Sequence, residues 1–330
     1  MTKILQVGLG PLGQKTVQFA VERGFKIVAA VDTSPHLIGR DVGEVCGLKK
    51  MGVKISGNMK EAVKNKKPDV AVLTTVSSLK KLESQVQELA KLKLSTVSTC
   101  EELSFPWKTQ AALAKRLDKL CKKHKVALLG TGVNPGFLMD FLPTALTAVS
   151  KKVEKVEVWR VQNASVRRVP FQQKIGAGLS LNEFRKKEKE GTLRHVGLPE
   201  SVDLIAARMG WKLTKKTESL NPVIADREIT AGYKPIAAGQ ACGVEQIGRG
   251  FVGNKEVITL YFKAAVGEEK SYDTIRISGE PNISSTIDGG INGDVATCAI
   301  TLNAIQSVLR ASPGLVTMSD VMAVAYSSKP

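Results

Sequence analysis

The chain has 330 residues, of which 43% are hydrophobic and 24% charged, and its formal net charge is +17. This length is typical of two domains, and this composition excludes disordered and collagen-like classes of protein. A charge this positive is also a feature of nucleic-acid-binding proteins.

The distribution of the lysines along the chain argues against a nucleic-acid partner. They are dispersed over predicted polar helix faces and turns, and only 5% of the residues are aromatic. We therefore expect a solvated basic surface and no nucleic acid; attraction to acidic ligands or surfaces is the alternative interpretation.

The start of the chain shows no targeting segment. An apolar run begins at Ile4 without the charged region, long apolar region and cleavage site of a signal peptide. No apolar stretch approaches the roughly 18 residues needed to cross a bilayer. We expect a cytoplasmic protein without membrane attachment.

The cysteines are odd in number and scattered, and no two of them form a C-x-x-C pair. This pattern predicts reduced, mostly buried thiols, with no disulfide framework and no metal site. The five residues are Cys46, Cys100, Cys121, Cys242 and Cys298.

The first part of the chain alternates short apolar runs with helical patterns, which predicts parallel β-α-β units in a doubly wound sheet. The predicted strands cover residues 4–7, 26–31, 70–74, 95–98 and 126–130. The predicted helices cover residues 11–23, 59–66 with Asn58 as N-cap, 78–92 and 107–124.

The hydrophobic pattern of the sequence changes after residue 134. Longer stretches there alternate apolar and polar positions, as do the strands of a sheet with one solvent-exposed face. These predicted strands cover residues 153–161, 236–248, 256–266 and 271–278. Two helices interrupt them, one with a capping box from Ser180 to Glu183 and one that starts near Pro199. Asp294 is the predicted N-cap of an apolar helix to about residue 309, and a last helix is expected after Ser319.

We predict residues 1–133 as a dinucleotide-binding domain and residues 134–293 as a substrate-binding and oligomerisation domain. The C-terminal helices, about 294–330, are expected to pack back on or near the first domain. The fold class is therefore α/β, with an N-terminal parallel sheet and a second α+β domain built on a mixed or antiparallel sheet.

A G-x-G-x-x-G loop follows the first predicted strand and opens the first predicted helix, at Gly8, Gly10, Pro11, Leu12 and Gly13. The first glycine permits the tight turn, the second lets the backbone approach a pyrophosphate, and the third allows close helix–strand packing. The helix N-terminus offers unpaired N–H groups to the phosphates. This context predicts a Rossmann site for NAD or NADP.

Asp32 ends the second predicted strand, about 20 residues beyond the loop, where an acid binds the adenosine ribose hydroxyls. A carboxylate there repels a 2′-phosphate, which favours NAD over NADP. Arg40 follows closely and can relax that preference. Thr74 and Thr75, at the end of the next predicted strand, are candidate cofactor contacts; the alternative is a polar loop before a helix.

Glu101 and Glu102 follow the strand that ends at Ser98, ahead of an aromatic segment. A carboxylate at this edge is a candidate general base near the nicotinamide. The alternative is a pair of helix N-terminal acids that offset a macrodipole. Adjacent side chains point apart, so we expect one acid in the site and favour Glu101.

Asn134 lies in a constrained Gly-Thr-Gly-Val-Asn-Pro-Gly segment, where it can bind the nicotinamide carboxamide or the substrate, or serve as a structural hinge residue. His195 directly precedes a predicted helix. That position suits a residue that faces substrate, although a single histidine there is as often structural.

Several segments together resemble 2,4-diaminopentanoate dehydrogenase and the native amine dehydrogenases. The similarity covers essentially the whole chain and lies in the glycine loop and in the segments 100–102, 132–137, 195–201, 293–297, 303–304 and 313–315. Dihydrodipicolinate reductase is a more distant likeness, and the chain lacks the paired-histidine signature expected of that enzyme.

This resemblance implies oxidative deamination of a small amine or diamino acid with NAD(P), reversible as reductive amination. Glu101 or Glu102 would handle the amine and water protons. Asn134, Asn163 and His195 would line the substrate pocket, with Arg160 or Arg168 as a donor to a substrate carboxylate. The partners would be the amine, ammonia and a second copy of the chain, because long sheets often pair across a two-fold axis.

Two other functions stay open at this point. One is an imine reductase of the dihydrodipicolinate reductase type. The other is a non-catalytic dinucleotide sensor, which would use the same glycine loop without turnover.

Overall fold

A computed structural model of the protein describes residues 1–193 and 195–328. The chain forms two compact units. Unit 1 contains Met1–Phe137 together with Asn292–Pro330, and unit 2 contains Leu138–Ile291.

Unit 1 is built on a seven-stranded sheet in which every pairing is parallel. Its strands are β1 (Lys3–Val7), β2 (Lys26–Val31), β3 (Ile55–Ser56), β4 (Val70–Leu73), β5 (Thr96–Ser98), β6 (Ala127–Gly130) and β13 (Gly314–Val316). The strand order is β13-β6-β5-β4-β1-β2-β3, so the sheet is doubly wound about β1 and β4. This confirms the Rossmann prediction.

The helices of unit 1 are α1 (Pro11–Glu22), α2 (Val42–Val45), α3 (Met59–Val63), α4 (Leu79–Lys91), α5 (Pro106–Thr109), α6 (Ala111–His124) and α11 (Gly293–Leu309). The buried sides of α3, α4 and α6 join Leu5 and Val7 of β1 in one apolar cluster. The alternate side chains of each strand point to the other face, where α1 and α11 pack against each other.

The elements predicted in the first part of unit 1 are present, whereas the short elements α2 and β3 were not predicted. Strand β2 has the predicted bounds, and the Asn58 side chain caps α3 by accepting a hydrogen bond from Glu61 N. The predicted helix over 107–124 is broken at Gln110, whose φ of −138° and ψ of 48° lie outside the helical region.

The C-terminal segment differs from its prediction. Asn292, not Asp294, caps α11, because its side chain accepts from the N–H groups of Asp294 and Val295. The helix expected after Ser319 is not found among residues 319–328. The C-terminal segment does contribute a strand ahead of Ser319, since β13 pairs with β6 and forms an edge of the sheet.

Unit 2 is built on a six-stranded mixed sheet in the order β12-β11-β7-β10-β9-β8. Its strands are β7 (Lys152–Asn163), β8 (Lys215–Ile224), β9 (Ala241–Val252), β10 (Lys255–Ala265), β11 (Tyr272–Glu280) and β12 (Ile283–Asp288). Only β7 and β10 pair in parallel; the other described pairings are antiparallel. This confirms the predicted second α+β fold on a mixed sheet.

The helices of unit 2 are α7 (Phe141–Leu146), α8 (Val169–Lys174), α9 (Leu181–Lys189) and α10 (Leu198–Met209). The predicted capping box is present, since the Ser180 side chain accepts from Glu183 N while the Glu183 carboxylate accepts from Ser180 N. Helices α7 and α10 pack on strands β9 to β11.

Three strands of unit 2 differ from the sequence prediction, since β9 has a different start and neither β8 nor β12 was predicted. The strand predicted over 236–248 is β9, which starts later, at Ala241. Strand β8 was not predicted because its sequence is polar and contains Pro222. Proline is tolerated in a strand at the edge of a sheet, which is where β8 lies.

The described residues contain no helix long and apolar enough to cross a membrane. They also contain no cluster of histidine, cysteine and carboxylate side chains suited to a metal ion. All five cysteines are buried and free of disulfide bonds.

Candidate dinucleotide and substrate sites

The glycine loop joins β1 to α1 and adopts the shape that its sequence predicts. Gly8 has a φ of +89°, and a Cβ there would lie 2.7 Å from the backbone oxygen of Thr74. A Cβ on Gly13 would lie 2.1 Å from the carbonyl oxygen of Gly8. Both positions therefore require glycine for the fold itself.

Gly10 differs from the other two glycines because nothing lies within 4 Å of the position of its Cβ. It is the N-cap of α1, and Pro11, which lacks an N–H, occupies the first helical position. Pro11 is exposed and Leu12 half-buried. The open space over a helix N-terminus is what a pyrophosphate requires, so the loop fits a dinucleotide.

Thr74 holds the loop in place. Its hydroxyl donates to the Gly8 carbonyl at 2.9 Å and accepts from Gln6 Nε2 at 2.8 Å, and Gln6 Nε2 also donates to the Gly8 carbonyl at 2.8 Å. Thr74 and Gln6 are both buried. The exposed Thr75 hydroxyl donates to Gln85 Oε1 at 2.8 Å.

Asp32 ties the end of β2 to the same loop. One carboxylate oxygen accepts from the Leu9 N–H at 2.6 Å and the other from the Ser34 N–H at 2.8 Å. Each oxygen keeps a further lone pair for a ribose hydroxyl. Arg40 is exposed on the segment that follows.

Glu101 and Glu102 begin a single 3-10 turn after β5, and their carboxylates have different surroundings. The Glu102 carboxylate accepts from the Leu79 N–H at 2.8 Å and from Gln110 Nε2 at 2.7 Å. It therefore caps α4, which corresponds to the macrodipole alternative.

The Glu101 carboxylate accepts no hydrogen bond and forms no ion pair with another described residue, and the side chain is half-buried. It is thus available for a ligand. Its neighbour Cys100 is buried, and burial together with the Glu101 charge raises the pKa of that thiol. Cys100 is therefore a protonated thiol and not a nucleophile.

The segment from Gly130 to Gly136 follows β6, and Asn134 in it is buried. The Val133 N–H donates to the Thr297 hydroxyl of α11 at 3.3 Å. Gly136 has a φ of +120°, and a Cβ there would lie 2.6 Å from Gly132 N. The segment is thus fixed by its own glycines and by α11.

His195 lies against the unit 2 sheet. Its backbone N–H donates to Gln246 Oε1 at 2.7 Å, its carbonyl accepts from Gln246 Nε2 at 3.1 Å, and its ring lies 4.5 Å from that of Phe262. The buried Nδ1 atom has no hydrogen-bond partner among the described residues. Gln246 was not singled out from the sequence, because a polar residue inside a strand carries no distinctive pattern.

The electrostatic surroundings of His195 keep its ring neutral. Burial, followed by the charges of Lys174, Arg160 and Arg167, lowers the pKa of His195 from 6.5 to about 3. Arg167 donates to Gln162 Oε1 at 3.0 Å and lies 4.0 Å above the ring of Phe171. The sequence did not single out Lys174 or Arg167, since neither lies in a recognisable motif.

Arg160 is almost completely buried and forms an ion pair with Asp273, with Nη1 2.7 Å from Oδ1. Its Nη2 donates to the Ile291 carbonyl at 3.0 Å, and Asp273 Oδ2 accepts from the Ile291 N–H at 2.8 Å. This geometry does not favour the predicted contact between Arg160 and a substrate carboxylate, because the guanidinium is already engaged within the sheet.

Asn163 is the last residue of β7. Its Oδ1 accepts from the Ser165 N–H at 2.8 Å, and its own N–H donates to the Ser271 hydroxyl at 2.9 Å. The side-chain oxygen therefore fixes the turn after β7. Within unit 1 the structure brings Asp32 and Thr74 to the glycine loop, and within unit 2 it surrounds His195 with cations.

Two family models match the chain. Residues 137–327 match the 2,4-diaminopentanoate dehydrogenase C-terminal domain, and residues 2–100 match the N-terminus of dihydrodipicolinate reductase. The two matches lie in both units and leave residues 101–136 of unit 1 outside either match.

Similar proteins are found over the full length. The chain is 30% identical to a 2,4-diaminopentanoate dehydrogenase of Acetoanaerobium sticklandii, over 97% of this chain and 93% of the relative. An amine dehydrogenase from Mycobacterium smegmatis has the same fold, with a TM-score of 0.88 at 23% identity, over 99% of this chain and 98% of the other. A dihydrodipicolinate reductase from Paenisporosarcina sp. TG-14 is more distant, with a TM-score of 0.53 at 13% identity, over 98% of this chain and 100% of the other.

Proposed function

The chain belongs to the 2,4-diaminopentanoate dehydrogenase family, and on that premise we propose that it oxidises one C–NH₂ group of a small diamino acid to a ketone. Membership makes the chain an NAD(P)-dependent oxidoreductase of the amine dehydrogenase kind. The identity of the substrate and the reversibility of the reaction are the parts that we propose.

The observation that carries the proposal is the difference between the two adjacent glutamates. Glu102 is used to cap α4, whereas the Glu101 carboxylate is half-buried and has no partner among the described residues. Both follow β5, and the carboxyl ends of parallel strands form the ligand-binding edge of a doubly wound sheet. We therefore assign the general base to Glu101.

The dinucleotide, when bound on the glycine loop, supplies the acceptor for a hydride. Glu101 takes one proton from the substrate ammonium, because only the neutral amine releases hydride readily. Loss of hydride from the carbon leaves a substrate iminium. Glu101 then assists the addition of water, and ammonia leaves as the ketone forms.

The substrate contacts proposed in unit 2 are centred on His195. A neutral His195 ring can donate or accept a hydrogen bond over the physiological pH range. Lys174 and Arg167 are close enough to lower its pKa, and we assign to them the attraction of the substrate carboxylate. Asn163 and Asn134 remain proposed substrate contacts.

The preferred cofactor is proposed to be NAD. The Asp32 carboxylate is held at the loop by Leu9 and Ser34. A 2′-phosphate beside it would meet a like charge, at a cost of roughly 1 to 4 kcal/mol for unit charges about 4 Å apart.

We further propose a homodimer formed through the face of the unit 2 sheet that α10 does not cover. Trp159, Tyr261 and Ile247 lie side by side on three neighbouring strands, and each is only half-buried. Ion pairs between Lys155 and the carboxylates of Glu157 and Glu256 reduce the net charge beside these apolar side chains. This reduces the electrostatic repulsion between two copies of the chain. Light scattering tests this: the native chain should have twice the monomer mass, and Ile247→Glu should give a monomer.

The proposed activity is tested with a panel of diamino acids, simple amines, and keto acids with ammonia, read by nicotinamide absorbance with NAD and with NADP. Turnover should be fastest with a short diamino acid such as 2,4-diaminopentanoate. Turnover of simple amines at an equal rate would show that the enzyme does not recognise a substrate carboxylate, and would contradict that part of the proposal. Binding of NADH with no turnover of any compound would favour the sensor alternative.

The match of residues 2–100 favours one other candidate, an imine reductase of the dihydrodipicolinate reductase type. It is the weaker candidate, because the match of residues 137–327 is to the dehydrogenase family. Reduction of dihydrodipicolinate in the same assay, without amine oxidation, would replace the proposed function with this one.

A further inference from the structure

The net charge of +17 is not explained by the proposed function, which needs only a few cations. Most of that charge lies in unit 1. Along the sequence the basic residues are dispersed, which is why we expected only a solvated surface.

Folding collects eight of these lysines at one edge of the unit 1 sheet. In a parallel sheet each helix runs back to the edge where the next strand begins. The turns that follow α3, α4 and α6 lead into β4, β5 and β6, which are neighbours in the sheet. Neighbouring strands are about 4.8 Å apart, so the three turns lie side by side.

We call this set the lysine edge. All eight side chains are exposed. The set consists of Lys64, Lys66 and Lys67 after α3, Lys91 and Lys93 at the end of α4, and Lys122, Lys123 and Lys125 at the end of α6.

Few acids neutralise the lysine edge. Asp118 pairs with Lys122 at 2.7 Å, and Asp69 accepts from the N–H of Lys3 at 2.7 Å. No other ion pair to these eight lysines is formed by the described residues. Lysines in the last turn of a helix offset its macrodipole, but that effect does not account for Lys66 and Lys67, which lie beyond the end of α3.

The composition of the lysine edge indicates the class of partner. Protein interfaces need an apolar core, and none of the large exposed apolar side chains lies in these three turns. The cations are all lysines, which act as point charges toward phosphates, and no exposed aromatic ring accompanies them to stack on bases. We propose that the lysine edge binds the phosphate backbone of a nucleic acid without sequence preference.

This binding is compatible with the cofactor. The glycine loop follows the carboxyl end of β1, whereas the lysine edge lies where the strands begin. Helix α1 alone is about 18 Å long at 1.5 Å per residue, so the two sites are separated within unit 1.

The test is fluorescence anisotropy of a labelled duplex of mixed sequence, titrated with the full chain at several salt concentrations. The native chain should bind with a Kd on the order of 1 to 100 µM near physiological salt. The variant Lys64→Gln, Lys67→Gln, Lys91→Gln, Lys123→Gln should bind at least about tenfold more weakly. The slope of log K against log salt should also become shallower by about 3 to 4, since each lost phosphate contact removes about 0.9.

A matched control removes the same charge elsewhere: Lys186→Gln, Lys187→Gln, Lys189→Gln, Lys212→Gln, all exposed positions of unit 2. It should bind the duplex within about twofold of the native chain, since its phosphate contacts are intact. An equal loss of duplex affinity in both variants would show that binding depends only on the net charge of the chain, and would overturn the proposal. Absence of binding at 50 µM protein, or lysine-dependent binding to phosphatidylserine vesicles without binding to the duplex, would also overturn it.

Discussion

The carboxylate of Glu102 accepts a hydrogen bond from the backbone N–H of Leu79 at 2.8 Å, across the gap between the turn after β5 and the start of α4. Of the two adjacent glutamates, Glu101 and Glu102, this contact gives Glu102 a structural role. Helix α4 receives no cap from Ser78, its own N-cap residue. Glu102 supplies the missing acceptor.

Substitution of Glu101 should therefore lower the catalytic rate, whereas substitution of Glu102 should mainly lower the stability. Glu101→Gln should lower kcat by about 10² to 10⁴, the usual contribution of a general base, and leave the unfolding midpoint unchanged. Glu102→Ala should lower the stability by about 0.5 to 2 kcal/mol, as loss of a cap does, and change kcat only several-fold. Steady-state kinetics and urea unfolding measure both; an equal loss of kcat in the two variants would contradict the assignment.

Substitutions at two glycines of the loop should have different effects, one on the stability of the fold and the other on cofactor binding. Gly13→Ala places a Cβ 2.1 Å from the Gly8 carbonyl and should destabilise the chain by about 1 to 3 kcal/mol or more. Gly10→Ala meets no atom of the protein within 4 Å, so its thermal midpoint should equal that of the native chain. Its methyl group should nevertheless weaken NADH binding by about tenfold, because it enters the space reserved for the pyrophosphate. Normal NADH affinity in Gly10→Ala would place the phosphates elsewhere.

Asp32 should control the choice between the two cofactors. Asp32→Asn keeps one acceptor oxygen, for the N–H group of either Leu9 or Ser34, and removes the charge that repels a 2′-phosphate. The ratio of kcat/KM for NAD to that for NADP should fall by about tenfold, which corresponds to about 1.4 kcal/mol. Asp288→Asn, an exposed position in unit 2, is the control and should leave the ratio unchanged.

The Arg160–Asp273 pair should prove to be structural. Asp273→Asn or Arg160→Met alone leaves a buried charge without its partner and should cost about 3 to 5 kcal/mol. The double variant Arg160→Met, Asp273→Leu should recover much of that loss, as measured by urea unfolding. If the double variant recovers stability but the KM for the diamino acid rises more than about tenfold, Arg160 does contact the substrate.

His195 should make the stability depend on pH below neutrality. In the unfolded chain its pKa is 6.5, while in the folded chain it is about 3. The unfolded state therefore binds a proton first as the pH falls below 6.5, and stability is lost progressively between pH 6.5 and 3. Between pH 7.0 and 5.5 the native chain should lose about 1 kcal/mol more than His195→Asn. Equal losses in the two proteins would show that the ring is protonated in the folded state.

The sequence carried enough information to predict β1, α1, β2 and β4 to within one residue at each end, whereas α2 and β3 were not predicted. Strand β2 and the cap at Asn58 rest on short-range signals: an apolar run between turn residues, and a side chain three positions from the N–H that it binds. The glycine loop is equally local. The Gln6–Thr74 network was not predictable, because it joins residues that are far apart along the chain and are brought together only by the pairing of β1 with β4.

The errors in unit 2 and at the C-terminus have the same origin. Strand β8 contains Pro222 and polar residues, and it forms because β9 offers a long partner. The segment after Ser319 has helical composition, but Thr317 and Asp320 hold each other through side-chain and backbone hydrogen bonds. The different roles of Glu101 and Glu102 likewise depend on the distant residues Leu79 and Gln110.

The edge strand β13 has a consequence for the biosynthesis of the chain. Unit 1 is completed by residues that leave the ribosome after unit 2, since β13 pairs with β6 and α11 lies against β5 and β6. Until about 180 further residues have followed β6, that strand has an open edge and one uncovered apolar face, both of which invite aggregation. Unit 2, by contrast, is continuous from Leu138 to Ile291 and is synthesised in full before unit 1 can close.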